Sequence, residues 1–101
     1  MSDVFMEVIV NVAEASALGI ESRDEIEDPL EEALSASGLG AVTGGGGGMG
    51  VYVLDVEIIE QQFDESLSII RQALQTLKVP ASTRIKRSQP EKIEFAVYID
   101  S

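Results

Sequence analysis

An α+β domain with helices packed on one face of an antiparallel sheet is what this sequence predicts, and three observations predict it. Residues 3–12 and 51–60 alternate with a period of two, as half-buried strands do. Residues 63–78 carry an apolar line at helical spacing. The remaining signals place the elements in the order strand, helix, strand, strand, helix, strand, in a chain of 101 residues that has the length of a single domain, 1–101.

In the first strand Val4, Met6, Val8, Val10 and Val12 share one side, and Phe5, Glu7, Ile9 and Asn11 share the other. The all-apolar side is the core side, and the mixed side looks to solvent or a partner. Residues 13–20 have no clear period and read as a connecting loop.

Pro29 sets the expected start of the first helix, because proline is favoured at the first helical position and costs about 3 kcal/mol in a helix interior. Asp28 is then the N-cap and Glu31 completes a capping box. Ser22 and Glu25 form a second possible start, and Gly38 stops the helix. Leu30, Ala33, Leu34 and Ser37 form its inward stripe.

Residues 39–43 read as a short second strand running into a glycine tract, and residues 51–60 as a long third strand. Tyr52, Leu54, Val56 and Ile58 make the core face of the third strand, with Val51, Val53, Asp55, Glu57 and Ile59 opposite. In the second helix Leu67, Ile70, Leu74 and Leu77 face inward, Asp64 caps the start, and Lys78 with Pro80 ends it. Residues 82–87 and 92–100 are two further strand candidates around the turn-forming group Ser88, Gln89, Pro90 and Glu91, placed to pair as a terminal hairpin.

This order is that of a ferredoxin-like βαββαβ plait, an antiparallel sheet with two helices on one face, here with an extra C-terminal strand possible. In such a plait the first and third strands are central neighbours. Phe5, Ile9, Val51, Val53 and Ile59 then gather on the face without helices. The run from Gly38 through Gly50, followed by Tyr52 to Ile58 and by Phe63, Asp64, Glu65, Ser66 and Leu67, resembles small uncharacterised bacterial proteins of ferredoxin-like fold. The resemblance spans roughly residues 20–87; it implies the fold and no activity.

Composition narrows the chemistry. With no cysteine and no histidine, thiolate chemistry, disulfides and the commonest zinc ligand and general base are excluded. Net charge is −11 and unevenly placed: fifteen of eighteen carboxylates lie in residues 1–70, beside Arg23 alone among basic residues. So negative a field disfavours nucleic acid and anionic membrane and permits a basic protein or a divalent cation. No run of residues reaches the length of a bilayer span, and no basic segment precedes the apolar residues 4–12, which Glu7 interrupts; a cytoplasmic location is expected.

The glycine tract, Gly44, Gly45, Gly46, Gly47, Gly48, Met49 and Gly50, contains a formal G-x-G-x-x-G, but a strand follows where a dinucleotide site needs a helix, and no P-loop lysine follows Gly50. The tract is expected to be a glycine-rich loop between two strands, able to contact a ligand or partner. Glu7, Asp55 and Glu57 are the candidate metal or acid–base carboxylates, with oxygen chemistry suited to magnesium, manganese or calcium. Glu21, Asp24, Glu25, Glu27, Asp28, Glu31 and Glu32 form an acidic run that suits either a solvated helix start or a basic partner.

The leading functional expectation is a small, acidic, non-enzymatic binding or regulatory protein, without a cofactor, that dimerises through Phe5, Ile9, Val51, Val53 and Ile59. The alternatives are a carboxylate- or metal-dependent enzyme using Glu7, Asp55 and Glu57, and an immunity-type acidic inhibitor of a basic protein.

Overall fold

The computed structural model describes residues 3–87 and 93–98. Along the chain lie β1 (Asp3–Asn11), α1 (Val12–Ala17), α2 (Asp24–Ser37), β2 (Gly40–Gly48), β3 (Val51–Ile59), α3 (Phe63–Thr76), β4 (Arg84–Arg87) and β5 (Ile93–Ala96). The strands form one sheet in the order β2-β3-β1-β4-β5, with every neighbouring pair antiparallel. Among the described residues the domain is thus α+β, a five-stranded antiparallel sheet with three helices. Because β5 lies outside β4, the full strand order departs from that of a four-stranded plait.

The alternation in the strands decides which face is covered. Val4, Met6, Val8 and Val10 of β1 and Leu54, Val56 and Ile58 of β3 are buried, joined by Ile85 of β4, and they meet Ile26, Leu30 and Leu34 of α2 and Leu67, Ile70 and Leu74 of α3 in one core. Burying each such aliphatic side chain is worth about 1.5–3 kcal/mol, which is why α2 and α3 lie side by side on this face. Among the described residues no helix packs on the opposite face.

Three boundaries differ from expectation. Residues expected as a loop form α1, because the Asn11 side chain accepts from the Glu14 N–H at 2.9 Å and so caps a short turn that buries Ala15. α2 does not start at Pro29; it starts at Asp24 and runs through the proline. The Glu25 carboxylate accepts from the N–H groups of Glu21 at 2.7 Å and Ser22 at 2.9 Å, so the alternative start at Ser22 and Glu25 fixes the residues that lead into the helix and lets Ile26 reach the core. In α3 Asp64 is not the cap: a 3₁₀ turn, Glu60–Gln62, leads directly into the helix, and Asp64 lies in the first turn, where the macrodipole favours its charge. Gly38 ends α2 as expected, with φ at 70°.

The terminal hairpin forms as expected, β4 pairing antiparallel with β5. Its turn group, residues 88–91, lies outside the described residues, as do Lys92 and Asp100. From α3, Arg71 Nε donates to the Ala96 carbonyl at 2.9 Å and Gln75 Nε2 to the Val97 carbonyl at 2.8 Å; one turn apart on the helix, they hold the end of β5 against it.

Candidate functional site: the open sheet face and the glycine edge

The largest departure from the sequence reading concerns the glycine tract. Gly44–Gly48 is not a loop; it is the second half of β2, paired residue by residue with β3 from Gly44 opposite Asp55 to Gly48 opposite Val51. A register shift between Val42 and Gly44 leaves Thr43 as the extra residue of a β-bulge. Only Met49 and Gly50 form the connection. Both have positive φ, 53° and 81°, the signature of a type I′ hairpin turn. The Gly50 carbonyl accepts from Val12 N–H at 2.8 Å, which fastens the turn to the end of β1.

Why glycine is used here is visible in the space around it. A Cβ at Gly45 would lie 2.6 Å from the Val53 carbonyl oxygen and 3.3 Å from Arg23 Nη1. The bare backbone lets Arg23 lie across β2, with its Nε 3.4 Å from Glu27 Oε1. Gly46 points the other way, and a Cβ there would meet nothing within 4 Å.

β2 is an edge strand. Counting back from the Gly48–Val51 closing pair, antiparallel alternation turns the N–H and C=O of Gly45 and Gly47 outward, and both residues are exposed. Further along the same edge, the Glu31 carboxylate accepts from the Val42 N–H at 2.5 Å. Helix α2 thus seals the edge as far as the bulge and leaves the glycine half uncovered.

The acidic run at the start of α2 has work within the fold. Glu25 ties down the residues ahead of the helix, Glu27 pairs with Arg23, and Glu31 closes the edge of β2. Tyr52, half-buried at the end of the core face of β3, donates its hydroxyl to the Glu21 carbonyl at 3.2 Å.

On the open face, register sets the side chains in rows across the sheet. One row reads Gly46, Val53, Ile9, Arg84 and Ala96; the next reads Gly44, Asp55, Glu7, Lys86 and Glu94. Phe5 stands opposite Glu57 and is 44% exposed, while Ile9, Val51, Val53 and Ile59 are half-buried. Phe5, Ile9, Val51, Val53 and Ile59 therefore do share the helix-free face, but a charged row separates Phe5 and Ile59 from Ile9, Val53 and Val51.

Glu7 and Asp55 are brought face to face across β1 and β3, whereas Glu57 is displaced one row along, beside Phe5. No three metal-ligating side chains gather among the described residues.

Arg84, Lys86 and Glu94, not expected on this face, also belong to it. Arg84 Nε lies 3.3 Å from one Glu94 oxygen and Lys86 Nζ lies 4.0 Å from the other. The signal was present in the alternation Arg84, Ile85, Lys86, which buries Ile85 and turns the two cations outward. Arg87 faces the helices instead, its guanidinium 4.8 Å above the Phe63 ring.

Among known proteins no family model, no curated protein and no solved structure matches this chain, so no relative assigns a role to any of these residues. No helix among the described residues is long and apolar enough to cross a membrane.

Proposed function

We propose that this chain is a non-enzymatic binding or regulatory protein that acts as a homodimer through the open face of its sheet. The supporting observation is that face itself: Phe5, Ile9, Val51, Val53 and Ile59 lie on a surface that neither α2 nor α3 covers, in two apolar groups on either side of the Glu7 and Asp55 row. An apolar patch of this kind tends to be an interaction surface, and a second copy with twofold symmetry hides it with no further partner. We also read the fold as a ferredoxin-like plait carrying one added strand. Its support is the order β2-β3-β1-β4 of the first four strands, with α2 between β1 and β2 and α3 between β3 and β4.

Sedimentation equilibrium tests the dimer. The wild type is expected to sediment as a dimer, and the double variant Ile9→Glu, Val53→Glu as a folded monomer with an unchanged circular dichroism spectrum. A wild type that is monomeric throughout the micromolar range overturns the proposal.

A further inference from the structure

The row that divides the open face has an unbalanced charge pattern. Glu7 and Asp55 oppose each other on adjacent strands, an arrangement that is unfavourable for like charges. Lys86 stands next to Glu7 in register, yet its ammonium group lies against Glu94 on the far side. Arg84 leans to the same carboxylate, so two cations share one anion on β4 and β5. The carboxylates of Glu7 and Asp55 have no ion-pair or hydrogen-bond partner among the described residues. The β3 and β1 half of this face is thus anionic and the β4 and β5 half has a surplus of positive charge.

We propose that the second copy docks about a twofold axis that runs along the strands between β1 and β4, so that Glu7 of each copy meets Lys86 of the other. This orientation rests on the open-face dimer proposed above and adds the charge register that selects it. Rotation about such an axis reverses each row while keeping its level along the strands. Val53 then covers Ala96 of the second copy, and Ile9 lies on the aliphatic stem of its Arg84, the mode in which a long cationic side chain covers apolar surface. A twofold axis laid across the strands along the charged row would instead stack Glu7 on Glu7 and Asp55 on Asp55, and like-charge juxtaposition at an interface costs several kcal/mol. The chosen axis leaves one like-charge opposition, Asp55 with Glu94, and that residue is screened by Arg84 and Lys86 of its own chain.

Two reciprocal variants test the orientation: Glu7→Lys with Asp55→Lys, and Arg84→Glu with Lys86→Glu. Each alone is expected to weaken self-association roughly tenfold or more, because both halves of its face then carry one sign. Mixed one to one, they are expected to form a heterodimer in native mass spectrometry, since the reversed charge at position 7 of one variant then meets the reversed charge at position 86 of the other, and the reversed charge at position 55 meets Glu94. A third variant, Glu94→Gln, removes the single opposed carboxylate and is expected to tighten the homodimer; it decides the matter should either double variant fail to fold. A wild type that dimerises and is broken by Ile9→Glu, Val53→Glu, while the mixture stays unpaired or Glu94→Gln weakens the dimer, overturns the charge register and leaves the open-face dimer standing. A monomeric wild type overturns both.

Discussion

Two adjacent glycines, Gly45 and Gly46, should respond in opposite senses to the same substitution. If the tract were the flexible loop that its composition suggests, alanine at either position would act mainly on the unfolded chain and stabilise slightly and equally. Within β2 the positions are not equivalent. At Gly46 a Cβ enters open space on the open face, so Gly46→Ala removes unfolded-state entropy without strain and should stabilise by about 0.4–1 kcal/mol. At Gly45 the new Cβ would approach the Val53 carbonyl oxygen at 2.6 Å and the Arg23 guanidinium at 3.3 Å. The first obstacle is backbone of the paired strand and cannot rotate away, so the hairpin must open locally. Overpacking of this kind costs about 1–3 kcal/mol. The two variants should therefore differ by about 1.5–4 kcal/mol in urea unfolding, the sum of the two effects. In a thermal melt each kcal/mol corresponds to about 4–8 °C for a domain of this size. Equal stabilities for the two variants would refute the placement of the tract in a paired strand.

Met49→Asn should stabilise the protein by up to about 1 kcal/mol, measured by urea unfolding, because Met49 holds φ at 53° in a turn where asparagine tolerates the left-handed region best. Thr83→Val should gain about 1 kcal/mol in the same assay: the Thr83 hydroxyl is buried without a hydrogen-bond partner among the described residues, and valine keeps the shape while removing the unmet polar group. Pro29→Ala should stabilise by about 1–3 kcal/mol and raise helicity by far-ultraviolet circular dichroism, since it restores an N–H inside α2. A loss of stability there would mean that proline packing in α2 outweighs the missing hydrogen bond.

Periodicity was sufficient for most of the architecture. The two faces of β1 and β3 follow from strict alternation, because a one-residue slip would expose every core side chain, and the inward line of α3 follows from a spacing that fits a helix alone. Helix boundaries were less legible. Pro29 and the Ser22 and Glu25 pair made competing claims on the start of α2, and the second prevailed because it satisfies two N–H donors and brings Ile26 into the core. Alternation in residues 84–86 also carried the outward direction of Arg84 and Lys86, but their adjacency to Glu7 required the pairing of β4 with β1.

By itself, then, the chain determined the element types, the core side of each strand, the absence of thiol and imidazole chemistry, and the strongly negative balance. Tertiary structure decided what the glycines are. A polyglycine segment has no side-chain pattern to mark it as a strand, and only the hydrogen-bonding template of β3 and the close approach of Val53 and Arg23 order it. Tertiary pairing likewise decided the open face: side chains alternate along a strand by local geometry, but the row that sets Asp55, Glu7, Lys86 and Glu94 side by side exists only through register between segments distant in sequence.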